Sequence, residues 1–355
     1  MNKLNLCVLF GGISPEHEVS LRSAESVLNQ LDKEKYNIFP VGITKDGDWF
    51  LFGGTDYSML PAGTWMTHPD NRKAALSPLR GQGLLLFEKD CDVRVHIDVV
   101  FPVLHGENGE DGSIQGLLQL AGIPYVGPHI ASSAVCMDKS LTKLVADSIG
   151  VRQAAWVQVN RADFDRNPDA AADAAEAKLG YPMFVKPCGT GSSVGVSKAA
   201  DRKALITALE KALRYDTKVL VEEFIRGREV ETAVLGNDTP MASTCGEIEP
   251  GAEFYDYETK YITDTAKLYI PARISESATE KVRETAVRLF SALGCRGLSR
   301  VDFFVTFDGE EVVFNEINTM PGFTSISMYP KLFEASGIPY PELLDQLIAY
   351  AQENP

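Results

Sequence analysis

The sequence predicts an α/β plus α+β protein: an N-terminal open parallel-sheet domain followed by two α+β lobes. Three observations carry that expectation. The chain opens as strand, glycine turn and helix; an acidic Gly-rich loop, HGENGEDG (105–112), follows a buried-type strand; and later short strands and helices alternate until Asp308-Gly309 marks a hairpin.

Residues 4–10 are an apolar run broken by Gly11 and Gly12, after which Leu21, Ala24, Leu28 and Leu31 recur at helical spacing. Such a βα unit begins a parallel sheet. Residues 36–44 read as a second strand, whereas 53–83, rich in Gly, Pro, Asp and Asn, read as long loops with little regular structure. Residues 97–104 form a buried-type strand leading into HGENGEDG, and 113–121 resume helical periodicity. The loop therefore lies at a strand's carboxyl end, where open α/β sheets bind ligands. A helix from Ser132, its N-cap, to Gly150, its stop, opens a second domain with a boundary near 131. Strands 154–159, 183–186 and 218–224 alternate with helices 168–179 and 201–215. Beyond them come strands 228–235, 241–248, 268–272 and 300–306, an amphipathic helix over 277–293 and a return strand 311–317. There is no internal repeat.

A chain of 355 residues that is 45% hydrophobic and 23% charged has ordinary globular composition and length for two or three domains. Its net charge of -15 argues against a nucleic-acid surface, which relies on clustered Lys and Arg. No apolar run is long enough to span a bilayer, and residues 1–10 lack the features of a secretory signal, so no membrane partner and a cytoplasmic location are expected. The six cysteines are scattered without a paired spacing, and His68, His96 and His129 have no partners at metal-ligand spacing.

Two segments carry chemistry. VKPCGTGSSVGV (185–196) sets a strand lysine, Lys186, before a Gly/Ser loop whose amides and hydroxyls suit a polyphosphate. It is neither a Walker A loop nor a dinucleotide fingerprint, and by itself it fits a surface loop equally well. Downstream, Arg300 and Asp302 share one strand face, as do Glu316 and Asn318. If those strands are hairpin neighbours, two carboxylates and an amide converge in a donor set suited to Mg²⁺, with a guanidinium beside it for a phosphoryl group. A salt-bridge cluster on two exposed strands is the alternative.

The assembled pattern resembles the D-alanine–D-alanine ligases of the ATP-grasp superfamily over nearly the whole chain. GGISPEHEVS, VFPVLHGENGEDGSIQG, CMDKSLTK, VKPCGTGSSVGV, EFYDYETKY, GLSRVDFF and NEINTMPGFTSISMYP stand in the family's order. The resemblance implies a domain for the first D-alanine (1–131), then a two-lobed ATP-grasp module whose central lobe is 132–226 and whose C-terminal lobe is 227–355. It implies that Glu16 holds the ammonium of the first D-alanine, with Ser192 and Tyr261 as hydrogen-bonding partners. It implies phosphate contacts from Lys139, Lys186 and Ser193, adenine contacts from Glu222, Glu223, Phe224 and Ile225, and a ribose contact from Glu229. It implies that Lys260 reaches the γ-phosphate and a substrate carboxylate. Asp302, Glu316 and Asn318 would hold two Mg²⁺ ions, for which Mn²⁺ may substitute, while Arg300 and the Gly322 amide stabilise an oxyanion. Ser325, Ser327 and Met328 flank the second substrate, and His105 contacts substrate or, with Glu110, braces its loop. Tyr261 and Met328 point to D-alanine as second substrate, and 252–261 is the expected lid. A homodimer is also a family expectation.

The resemblance predicts ligation of two D-alanines to D-alanyl-D-alanine through an acyl phosphate, with ATP as co-substrate, for peptidoglycan precursor synthesis. Competing readings are another ATP-grasp ligase, a regulatory protein that kept the fold and lost catalysis, and a nicotinamide-dependent oxidoreductase. The N-terminal motifs, the retained Arg300, Asp302, Glu316 and Asn318, and the missing glycine fingerprint disfavour them in turn.

Overall fold

The apolar run at the start forms strand β1 (Leu4–Gly11), whose residues from Leu6 to Phe10 are fully buried because both faces of its sheet are covered. The structure, a computed structural model, describes residues 3–249 and 267–353. Lys260, Tyr261 and the expected lid over 252–261 lie outside the described residues.

Helix α1 (His17–Gln30) follows the glycine turn and turns Val19, Leu21, Ala24, Val27 and Leu28 inward. Strand β2 (Tyr36–Ile43) runs parallel to β1. The region read as loops, 53–83, departs from expectation at β4 (Arg72–Leu76), which with β3 (Trp49–Leu51) before it and β5 (Leu84–Leu86) and β6 (Val93–Val95) after it extends the sheet as an antiparallel meander. Trp65 plugs this addition. It is fully buried, meets the Phe10 ring edge-on at 5.1 Å, and approaches Gly42 so closely that a Cβ there would stand 2.3 Å from its ring. Strand β7 (Val99–Pro102) lies parallel on the other side of β1, and α2 (Ser113–Ala121) follows its loop.

The single helix expected from Ser132 to Gly150 is two, α3 (Ile130–Met137) and α4 (Lys139–Ser148). They break at Asp138, which takes extended angles and caps α4 by accepting from the Ser140 and Leu141 N–H groups. The side-chain oxygen satisfies donors that a continuous helix would have spent on carbonyls.

Strands β8 (Trp156–Asn160), β9 (Met183–Pro187), β10 (Ser197–Ala199) and β11 (Lys218–Glu223) form an antiparallel sheet in the order β10-β9-β11-β8. Helices α5 (Arg161–Arg166), α6 (Pro168–Glu176) and α7 (Arg202–Ala212) lie against it, and Val185, Leu205, Leu209 and Val219 belong to a core of its own. The last sheet, in the order β14-β13-β12-β15-β16, comprises β12 (Gly227–Gly236), β13 (Met241–Glu249), β14 (Lys267–Tyr269), β15 (Gly297–Thr306) and β16 (Val312–Asn318). Helix α8 (Glu276–Ala292) covers one face, joined by Cys136 of α3 and Ala146 of α4. The two helices that open 132–226 are thus buried against the C-terminal sheet. Helices α9 (Met328–Ala335) and α10 (Tyr340–Gln352) cover the other face and share one core with β1, β7 and α1. Phe101 and Phe323 meet edge-on within it at 5.6 Å. The N-terminal sheet and the C-terminal lobe are therefore welded by burial, whereas the central sheet has a separate core.

Among the described residues no helix is long and apolar enough to cross a membrane. All six cysteines are free.

Candidate active site

A cavity of about 400 Å³ opens between the central and C-terminal sheets, within the range that holds nucleotide-sized ligands. Lys139, Lys186, Ser192, Ser193, Phe224, Ile225, Glu229 and Glu316 all line it. On one wall Phe184 and Phe224 stack with centroids 5.8 Å apart, and the Lys198 ammonium stands 4.9 Å over the Phe224 ring.

The basic end is built on a buried ion cluster. Lys186 Nζ lies 2.7 Å from one Glu222 oxygen and Lys143 Nζ 3.0 Å from the other. Burial pushes the Glu222 carboxyl up, but Lys186 and Lys143 override it and hold the group down at about 2. Burial likewise lowers the Lys186 pKa and Glu222 more than reverses it, so the ammonium stays charged where phosphates would lie. The Glu222 side chain is thereby committed to lysines. Glu223 is committed too, accepting from Arg152 Nη1 at 3.0 Å and the Ala155 N–H at 2.9 Å. Lys143 was not singled out in the sequence, although its place one turn after Lys139 was a signal.

Lys139 donates to the Thr190 carbonyl at 2.6 Å, tying α4 to the Gly/Ser loop. In that loop Ser192 and Ser193 adopt φ of 49° and 58°, a left-handed conformation that costs L-residues free energy and is concentrated at ligand-binding turns. It aims the Ser192 hydroxyl at Glu16, to which it donates a hydrogen bond across 176 residues of sequence. The Glu16 carboxylate is hemmed in by glycines. A Cβ at Gly191 would stand 3.0 Å from Glu16 Oε2, and one at Gly106 2.5 Å from it. Gly106→Ala, also at a φ of 69°, is therefore expected to displace Glu16 and raise the KM for the first substrate that the resemblance implies about tenfold, equivalent to ~1.4 kcal/mol. Steady-state kinetics check it; an unchanged KM counts against Glu16 as the ammonium contact.

His105 and Glu110 brace the loop. One His105 nitrogen meets the Met320 carbonyl at 3.0 Å and the other the Ser23 hydroxyl at 3.1 Å, so neither is turned to a substrate. Its substrate role is corrected accordingly. Burial lowers its pKa. Glu110 accepts from the N–H groups of Gly106 at 2.8 Å and Met320 at 3.1 Å, and burial, reinforced by Glu16, pushes its carboxyl up to about 8. A carboxyl raised from 4.5 to about 8 stabilises the fold fully below 4.5 and loses that contribution as the pH rises towards 8. Glu110→Gln should flatten this limb, which urea melts at about pH 5 and pH 8 measure; an unaltered pH dependence refutes it.

The acidic end lies on paired strands. In the β15–β16 register Arg300 faces Asn318 and Asp302 faces Glu316, so the predicted hairpin neighbours are neighbours. Arg300 grips Asp302 in a fork, Nε to Oδ1 at 2.7 Å and Nη2 to Oδ2 at 2.6 Å, and Asn318 Nδ2 donates to the same Oδ2 at 3.0 Å. Burial lowers the Arg300 pKa; Asp302 first and Glu231 next more than reverse this. The register slips after Asp302, leaving Asn315 as the extra residue, and its Oδ1 accepts from Lys186 at 3.2 Å. No single-sequence signal marks such a bulge.

Among the described residues no three His, Cys, Asp or Glu side chains form a ready metal cage. The donor set is two carboxylates and an amide, of the kind that binds Mg²⁺ together with substrate phosphates. Charge favours the fit: Glu231, Asp302 and Glu316 all act on the one Arg300 guanidinium, leaving an excess of negative charge for a divalent cation. Rotation of the Asn318 amide presents its oxygen in place of Nδ2.

Beyond the hairpin, Ser327 precedes α9 and its hydroxyl meets the Thr324 N–H at 3.0 Å. It also lies 2.8 Å from where a Gly322 Cβ would be, so only glycine fits there unshifted. Ser325 is exposed nearby. Met328 follows Ser327 as the first residue of α9. It is 4% exposed, packed under Gly246 in the shared core, because the helical phase of α9 turns it inward.

A cleft whose basic and acidic walls come from different lobes places the protein in the ATP-grasp class of ATP-dependent ligases, and comparison with known proteins narrows the class. Models described as D-ala D-ala ligase N-terminus and D-ala D-ala ligase C-terminus match residues 5–128 and 145–349. The D-alanine–D-alanine ligase of Clostridium novyi is 51% identical over 99% of this chain and 98% of its own, and that of Caldicellulosiruptor bescii 49% identical over 99% and 96%. Among solved structures, the VanG D-Ala:D-Ser ligase from Enterococcus faecalis superposes with a TM-score of 0.89 at 41% identity, covering 99% of this chain and 100% of that one. The D-alanine–D-alanine ligase from Coxiella burnetii gives 0.86 at 38% identity, covering 99% and 95%. The chain belongs to the D-alanine–D-alanine ligase family, ATP-dependent enzymes that join D-alanines for cell-wall precursor synthesis.

Proposed function

We propose that this chain phosphorylates the carboxylate of one D-alanine with ATP and passes the acyl group to the amine of a second, releasing ADP, phosphate and D-alanyl-D-alanine. The observation that carries the reading is the Ser192–Glu16 hydrogen bond, which closes the phosphate-type loop of the central lobe onto the N-terminal domain.

Glu16 takes the ammonium of the first D-alanine, with Ser192 as its hydrogen-bonding partner and Tyr261 as a second that the resemblance implies. Lys139, Lys186 and Ser193 hold phosphate oxygens; the backbone of 222–225 meets adenine, and Glu229 the ribose. The resemblance assigns Lys260, outside the described residues, to the γ-phosphate and the substrate carboxylate, and the 252–261 stretch to shielding the acyl phosphate from water. Asp302, Glu316 and Asn318 hold two Mg²⁺ ions, replaceable by Mn²⁺, which when bound neutralise phosphate charge. Attack by the second amine makes a tetrahedral oxyanion, stabilised by Arg300 and the Gly322 amide, while Ser327, with Ser325 adjoining, receives the second carboxylate. Tyr261, outside the described residues, is one candidate for the base that takes the amine's proton. The domains 1–131, 132–226 and 227–355 serve first substrate, nucleotide, and metal with second substrate. We expect a cytoplasmic homodimer.

The test is ADP and phosphate release with Mg²⁺, ATP and D-alanine, against L-alanine, D-serine and D-lactate, with mass analysis of products. D-alanine-dependent release with D-alanyl-D-alanine formed supports the reading. D-alanyl-D-serine as the main product overturns the specificity, and no turnover with any D-amino acid overturns the reaction.

A further inference from the structure

We infer that Glu231 is a positioning residue for Arg300, keeping the guanidinium aimed at the reacting carboxyl when Asp302 turns to a cation. The inference rests on the roles proposed above for Arg300 and Asp302.

Glu231 sits on β12 directly across from Asp302, and Ala233, two residues on, lies opposite Arg300. The Glu231 side chain is buried, and its Oε2 lies 3.0 Å from Arg300 Nε. The same Nε is 2.7 Å from Asp302 Oδ1. Nε carries one hydrogen, so two carboxylates compete for it. On the other arm, Asp302 Oδ2 already accepts from Arg300 Nη2 and from Asn318 Nδ2. Both acceptor directions of that oxygen are in use, and a cation arriving there displaces a donor.

An arginine paired with Asp302 alone would lose its anchor when that carboxylate is recruited. Glu231 is a second anchor, outside the proposed metal donor set. Its strand is hydrogen-bonded on both sides, to β13 and to β15, so its backbone is fixed. Ala233 brings no polar atom to compete for the guanidinium. Transfer of the Nε hydrogen bond from Asp302 to Glu231 keeps the guanidinium in place while Asp302 is freed.

The experiment is a double-mutant cycle in the full chain with Glu231→Gln, Arg300→Gln and both together. It reads kcat, KM, ADP affinity with and without Mg²⁺, and melting of the metal-free protein. Glu231→Gln is expected to lower kcat about tenfold with KM for ATP and Mg²⁺-dependent ADP affinity within about twofold, and to add nothing in the Arg300→Gln background. Glu231→Asp, which keeps the charge, should recover part of the loss. In metal-free protein the double variant should melt above the sum of the single losses, because both changes remove one contact. An undiminished effect of Glu231→Gln in the Arg300→Gln background overturns the inference, as does an unchanged kcat or a tenfold loss of Mg²⁺-dependent ADP affinity, which makes Glu231 a ligand. If the unmodified protein turns over no D-amino acid, the catalytic reading fails; the metal-free melts then decide the Glu231–Arg300 coupling, and additive losses overturn it.

Discussion

Arg300→Gln is expected to cut kcat about 10²–10³-fold, the loss typical of removing one oxyanion donor, with much less change in KM for ATP. The arginine lies behind the acidic wall and touches Asp302 and Glu231 but none of the lysines at the basic end. Its removal also leaves Asp302, Glu231 and Glu316 facing one another without a guanidinium. The apo protein should therefore melt lower, and Mg²⁺ should restore part of the loss. Arg300→Lys should not rescue turnover, because an ammonium cannot reproduce the two-pronged grip on Asp302. Steady-state kinetics and melts with and without Mg²⁺ measure both effects. A kcat within a few-fold of the unmodified protein would sink the assignment.

The second large effect is on stability. Glu222→Gln leaves the ammonium groups of Lys143 and Lys186 buried without their shared carboxylate, a change of the kind that costs about 3–5 kcal/mol. The pH dependence follows from the sign of the shift. With its carboxyl held at about 2 against an ordinary 4.5, Glu222 stabilises the fold fully above 4.5 and loses that contribution as the pH falls towards 2. In the Gln variant the acid limb should be shallower, and the KM for ATP higher because Lys186 is no longer anchored. Urea unfolding at several pH values checks the first claim and ATP kinetics the second; an acid limb as steep as in the unmodified protein would place the shift elsewhere.

Much of this site was legible before any coordinates. Two residues apart on one strand means one face, so Arg300 with Asp302 and Glu316 with Asn318 had to pair off, and the Asp308-Gly309 turn made their strands neighbours. Lys186 before its Gly/Ser loop was equally plain. Period, punctuation and residue chemistry are local properties, carried by a few consecutive letters. The same locality explains the misses. The strand at 72–76 hides among turn residues because its pairing partners, not its own composition, make it a strand. That Met328 packs under Gly246 is likewise set by the phase of its helix, which no single letter carries.

The sequence by itself determined the order of most elements, the residue types at the phosphate loop and the acidic hairpin, and through its ordered motifs the family. Only the tertiary structure decided that Glu222 serves Lys143 and Lys186, that His105 and Glu110 hold the Met320 backbone, and that Glu231 reaches Arg300. Each of those contacts joins residues from separate elements, and burial, which sets the charge state of Glu110 and Glu222, exists only once the sheets have packed.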